Sequence, residues 1–120
     1  VTANTLIWKE AFDALGGFDE SFPLAAGEDL DLSIRIREHG SITYAPESQV
    51  LHVFDDSFSD FINRFIRYGR GVKQLEICHG FKLIPRYRFP LEFSLFNFNA
   101  SLIQWGSMLY GYLSYKTTIS

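Results

Sequence analysis

Glu28 and Asp29 are adjacent carboxylates set directly behind a glycine, in Gly27-Glu28-Asp29-Leu30-Asp31-Leu32, where a loop gives way to a helical pattern. A general base for a hydroxyl need only be an ionised carboxylate within hydrogen-bond reach of the proton it takes. Negative charge is favoured at a helix N-terminus, which suits such a base. One acid of the pair can take the proton while the other holds a neighbouring hydroxyl and orients the acceptor. The plainer role for the same dipeptide is to complement the helix dipole and nothing more.

Other residues offer further chemistry. His52 stands alone in the apolar run Val50-Leu51-His52-Val53-Phe54. It reads either as a half-buried core histidine or as a metal ligand through a neutral imidazole nitrogen. Asp55 and Asp56 would then be its outer shell, or simply the start of a turn. Arg64, Arg67, Arg70 and Lys73 recur every third residue and drift around the polar side of a helix. Such a row can meet phosphates, or it can be a solvated face. His39 and His79 each precede a glycine and read as caps of helix C-termini.

The elements that position these groups belong to a chain of 120 residues, one domain's length and enough for a core. Twelve Phe and six Tyr in a 47% apolar composition argue against disorder. The single Cys78 excludes an internal disulfide framework and fits a reducing compartment. The opening Val1-Thr2-Ala3-Asn4 shows no secretory signal, and its lack of Met is expected of a piece of a longer chain. Net charge is −3, but residues 1–60 carry 12 acids against 3 Lys/Arg while residues 61–120 carry 2 acids against 8. The acidic half suits metal ions or neutral polar substrates, and the basic, aromatic half suits phosphates or an anionic membrane surface.

Along the chain, residues 5–8 are a short β-prone run and residues 9–15 a short helix stopped by Gly16 or Gly17. A loop to Gly27 leads into a helix from about Glu28 to His39, ended by Gly40. Its acidic first turn and its later Arg35 and Arg37 follow the helix dipole. The alternation of Leu30, Leu32, Ile34 and Ile36 also suits a strand. Residues 41–45 and 49–54 are β-prone segments joined at Pro46-Glu47-Ser48. Ser57-Phe58-Ser59-Asp60 forms a capping box, and Phe58, Phe61, Ile62, Phe65 and Ile66 make one buried helical face. Gly69 and Gly71 weaken that helix before it resumes to Ile77. A connector follows over residues 80–90. The 23 residues 93–115 then carry no charge and are long enough to span a bilayer. Asn97, Asn99, Ser101, Gln104 and Ser107 make this a polar choice for a spanning helix. We read it as a helix on or shallowly in a membrane surface; the alternative is a helix packed on its own domain.

In order and spacing, Gly16-Gly17-Phe18-Asp19-Glu20, Gly27 to Leu32, Arg35, Gly40, Tyr44-Ala45-Pro46 and Val50-Leu51-His52 resemble the acceptor-side half of the family 2 inverting glycosyltransferases. The resemblance covers roughly residues 1–55. It implies an α/β fold class, a partial GT-A fold followed by C-terminal helices. Residues 1–56 would be the acceptor-side part of the catalytic domain and 57–79 a basic amphipathic helical segment. Residues 80–92 would be a linker and 93–115 an apolar aromatic helix. The resemblance makes Asp29 the base that activates an acceptor hydroxyl and Glu28 its helper. Asp19, Gly17 and Gly27 would form the acceptor site, and His52 would ligate a divalent metal, magnesium or manganese. Leu30, Leu32, Ile34 and Ile36 would be core. More weakly, residues 64–71 resemble the segment after the catalytic domain in bacterial polysaccharide and lipid-linked transferases, which makes Arg64, Arg67 and Arg70 phosphate ligands.

The implied partners are a nucleotide-sugar donor, a sugar or lipid-linked acceptor and the cytoplasmic, inner face of the cell membrane. Nucleic acid is not expected, since the acidic half repels it and no recognised motif is present. The family's donor half has no counterpart here: no Asp-x-Asp lies in residues 1–27, and Asp29-Leu30-Asp31 belongs to the acceptor motif. The expectation is therefore the C-terminal portion of a hexosyltransferase of polysaccharide or glycolipid synthesis, inactive by itself. The rival expectation is a truncated, non-catalytic membrane-associated or interaction domain derived from such an enzyme.

Overall fold

The computed structural model of the chain describes residues 4–22, 25–51, 53 and 57–116. Its helices are α1 (Lys9–Ala14), α2 (Glu28–His39), α3 (Phe58–His79) and α4 (Leu95–Ser114). No strand occurs among the described residues, so the architecture is all-α. This overturns the α/β, partial GT-A fold class expected from the resemblance. The physical reason is local: a strand is stable when its backbone groups pair with a neighbouring strand. Among the described residues, the β-prone runs 5–8, 41–45 and 49–54 form no such ladder. Beside them, Asn4 Nδ2 donates to Ser48 O at 2.7 Å and Ser48 Oγ to Asn4 Oδ1 at 3.0 Å. Residues 41–51 are exposed throughout, so apolar burial sets no register for them either.

The helices form for readable reasons. Ser57 Oγ accepts the amide of Asp60 at 3.1 Å and bonds the Asp60 carboxylate at 2.6 Å, which caps α3. Gly80, in the left-handed conformation, stops it. Contrary to the expectation of a weakened stretch, α3 runs unbroken through Gly69 and Gly71.

Packing against α4 explains the first of those glycines. A Cβ at Gly69 would lie 1.9 Å from Met108 O, and one at Gly111 would lie 2.0 Å from Ile66 O. The two helix backbones therefore touch, which any larger residue at either position would prevent. Below this crossing, Glu76 ties the pair together: Tyr112 donates to Glu76 Oε2 at 2.5 Å and Lys73 Nζ to Glu76 Oε1 at 2.5 Å. The Leu83 amide adds a third donor at 3.2 Å. These donors hold the Glu76 carboxyl down at about 2, the Lys73 bond being the largest cause. Tyr115 donates to Gln74 Oε1 at 2.6 Å one turn away.

The core is thin. Leu32 and Leu75 are the largest fully buried side chains, joined by Phe22, Ala26 and Tyr112. The radius of gyration is 16.1 Å, against about 13.6 Å for a compact domain of this length. The expected apolar faces are only partly buried: Leu32 is enclosed but Leu30 is 53% exposed, and Phe58 is 67% exposed while Phe61, Ile62, Phe65 and Ile66 are half-buried. Among the described residues no helix is long and apolar enough to cross a membrane.

Candidate functional site

The acidic pair opens α2 behind Gly27, whose φ of +102° is a left-handed conformation that favours glycine. Space makes the same demand. A Cβ at Gly27 would sit 2.9 Å from Phe22 Cε1 and 3.1 Å from Gly71 O, and a Cβ at Gly71 would sit 2.2 Å from Ala26 O. The loop into α2 is thus pressed onto the α3 backbone, and the second glycine of α3 serves that contact. Glu28 and Asp29 follow, both half-buried. Asp29 Oδ1 accepts the Leu30 amide at 2.9 Å, and its carbonyl accepts Ser33 Oγ at 2.7 Å. Glu28 Oε2 is shut from solvent and has no hydrogen-bond partner. A shielded carboxylate oxygen of this kind is costly to leave unmatched.

Asp31, only 3% exposed, stands at the centre of the surrounding polar network. Its Oδ2 receives Arg35, at 2.9 Å from Nε and 2.7 Å from Nη2, and its Oδ1 bonds His79 Nε2 of α3 at 2.9 Å. Arg35 also donates Nη1 to Leu15 O and Nη2 to Gly17 O, each at 2.8 Å. One guanidinium therefore fixes the Gly16-Gly17 turn to α2, with its fork of donors shared between a carboxylate and two carbonyls. Beyond the turn, Asp19 Oδ1 accepts the Ser21 amide at 2.8 Å. That bond, with a smaller contribution from the Arg35 charge, pulls the Asp19 carboxyl below its ordinary value. Gln74 Nε2 of α3 reaches Ser21 Oγ at 3.3 Å. Partial desolvation, then the charges of Asp19 and Asp31, push up the thiol of Cys78, although the residue as a whole is exposed.

The structure thus places Glu28 and Asp29 in the first turn of α2 behind Gly27, while Arg35 ties the turn that carries Gly17 to α2 at Asp31 and lends its charge to Asp19. Arg64, Arg67 and Arg70 lie half-buried along α3. Arg67 is one turn before Gly71, on the side of α3 that Ala26 and Gly27 approach. Its Nε is buried without a hydrogen-bond partner, and its guanidinium lies 6.0 Å from the Tyr68 ring centre. Lys73 does not continue this row functionally, because Glu76 and the Tyr112 ring, 4.8 Å away, hold it at the α4 contact. His52, Asp55 and Asp56 lie outside the described residues. Among the described residues no group of three or more His, Cys, Asp or Glu could hold a metal ion, so these residues do not by themselves fit the divalent metal.

Several members of this site were missed in the sequence. The i, i+4 spacing of Asp31 and Arg35 signals an ion pair, yet nothing in it announces a buried hub. His79 reads as a helix cap, but its ring bonds Asp31, forty-eight positions away. Gln74 and Ser21 carried no signal at all.

The family described as Glycosyl transferase family group 2 matches this chain over residues 1–120. No curated protein and no solved structure matches it significantly.

Proposed function

The chain belongs to glycosyl transferase family group 2, and from that membership we propose that it supplies the acceptor side of an inverting sugar transfer. Asp29 takes the proton of an acceptor hydroxyl. The freed oxygen forms a bond to the anomeric carbon of the donor sugar as the bond to the nucleoside diphosphate breaks. The diphosphate leaves with the electron pair, and the sugar's configuration inverts. Glu28 accepts a hydrogen bond from the acceptor and orients it, and the turn carrying Gly17 and Asp19 shapes the acceptor site beside Gly27. The observation that carries this reading is the half-buried pair Glu28 and Asp29 in the first turn of α2, directly behind the left-handed Gly27.

Arg64, Arg67 and Arg70 meet phosphates in this proposal, those of the leaving diphosphate or of a lipid-pyrophosphate acceptor. His52 would ligate a divalent metal, which would stabilise the charge of the leaving diphosphate. The product is a polysaccharide or glycolipid. Asp29→Asn in the intact enzyme tests the proposal: turnover falls by about 10²–10⁴-fold, the usual worth of a general base, while binding of the nucleotide-sugar donor measured by calorimetry is unchanged. Near-wild-type turnover overturns the role of Asp29.

A further inference from the structure

Between the end of α3 and the first turn of α4, the chain passes Phe81 to Phe96 and is non-helical until Leu95. Its middle is anchored to α4: Trp105 Nε1 donates to Pro85 O at 3.1 Å, and the Tyr87 hydroxyl bonds Ser101 Oγ at 2.9 Å. Pro85 and Tyr87 are half-buried as a result, and the neighbouring side chains are left outside. Ile84, Phe89, Leu91, Phe93, Leu95 and Phe96 are all more than half exposed, and four of them, Phe89, Leu91, Phe93 and Phe96, expose 75% or more. Lys82, Arg86 and Arg88 stand exposed among them, against the single acid Glu92.

Large apolar side chains this dense and this exposed mark an interaction surface. We propose that residues 81–96 dock on the surface of an anionic lipid bilayer. The aromatic and leucine side chains enter the boundary between headgroups and acyl chains, while the long cationic side chains lie along that boundary and reach the headgroup charges. Two observations select lipid as the occupant. The cations interleave with the apolar side chains, and that mixture complements an anionic, amphiphilic interface. A second copy meeting this face across a two-fold axis would set Lys82, Arg86 and Arg88 against their own counterparts. The irregular backbone fits interfacial depth, where water still reaches N–H and C=O groups. This assigns the membrane contact to the connector and the start of α4, and not to the α4 face that meets Gly69.

The inference rests on the transferase reading only in giving that enzyme a reason to sit near lipid-linked acceptor, and its test needs no turnover. The chain is sedimented with vesicles of phosphatidylcholine plus phosphatidylglycerol, and with phosphatidylcholine alone. Binding is expected to the anionic vesicles and to weaken with salt. Each cation is worth about fivefold at such a surface, so Lys82→Gln/Arg86→Gln/Arg88→Gln together lose on the order of a hundredfold. Phe89→Ser/Phe93→Ser weakens binding at low salt as well. All five positions are exposed, and unchanged far-ultraviolet circular dichroism verifies that the helices persist. No sedimentation with anionic vesicles, equal binding by the triple variant, or self-association that replaces vesicle binding overturns the inference. Should Asp29→Asn retain turnover while vesicles still bind the chain, the base assignment falls and the docking surface stands.

Discussion

Helix α3 meets its two neighbours by different physics. Against α4 the backbones touch at Gly69 and Gly111, and the Glu76–Tyr112–Lys73 group locks the lower half. Against α2 and the loops before it, the glycine contact at Ala26 and Gly71 is joined by a charged hub in which Asp31 gathers Arg35 and His79. The α4 contact has little tolerance, since close-packed backbone cannot yield to an added methyl. The α2 side shares that intolerance where Gly71 meets Ala26, but otherwise depends on the orientation of a few polar groups, and it is the one that carries the acidic pair. The site is thus hung on the helix hairpin through one backbone contact and a set of hydrogen bonds.

Breaking the tight side has the largest expected effect. Gly→Ala in a helix ordinarily stabilises by up to about 1 kcal/mol, but at Gly69 the new methyl meets the Met108 carbonyl, and Gly69→Ala is expected to cost about 3 kcal/mol by overpacking. Gly106→Ala, where a Cβ meets nothing within 4 Å, is the matched control and should show the ordinary gain. Urea unfolding followed by circular dichroism reads both, and equal signs for the two would erase the claimed difference between a touching and an open helix position.

The polar side comes next. Asp31→Ala leaves Arg35 and His79 without their shared carboxylate and is expected to cost about 2–3 kcal/mol, toward the lower end for a buried pair because Arg35 is partly solvated. The sharper readout is positional: in the intact enzyme KM for the acceptor should rise while donor binding holds, since Arg35, which tethers the Gly17 turn, loses the carboxylate that orients it. A loss of stability with unchanged acceptor KM would make the hub purely structural.

The smallest effect is a pH dependence. Glu76 titrates at about 2 in the folded chain against an ordinary 4.5. A depressed carboxyl adds stability that is fully present above its unfolded value and is lost as pH falls through the folded one. The α3–α4 pairing should therefore weaken between pH about 4.5 and about 2. Glu76→Gln should flatten that part of the acid limb in thermal melts, leaving the contribution of Asp19, which is depressed in the same sense. An unchanged acid limb would show that Glu76 does not hold the hairpin.

Much of the local structure was legible. Ser57 with Asp60, Gly40 and Gly80 mark helix ends in the sequence and mark them in the structure. The motif series from Gly16 to His52 pointed to the family that the chain belongs to. The absence of a sheet among the described residues was not legible, because β-propensity says that a run fits a pleated surface, not that a partner strand stands beside it. Phe58 and Leu30 were read as core because periodicity identifies a face without saying how far the opposing element extends. Gly69 and Gly71 were read as helix weaknesses, because a one-dimensional pattern cannot show backbone arriving from elsewhere.

By itself the sequence determined where helices start and stop, the charge split between the two halves, and the adjacency of Glu28 and Asp29 behind Gly27. Each of these depends on residues within a turn or two of one another. Tertiary structure alone decided that Asp31 is the hub, that His79 completes it, that Glu28 and Arg67 each keep a shielded atom without a partner, and that the connector's apolar side chains stay outside. Those outcomes depend on which distant segment reaches a residue first, and burial and hydrogen bonding between distant segments are properties of the packed chain rather than of any window along it.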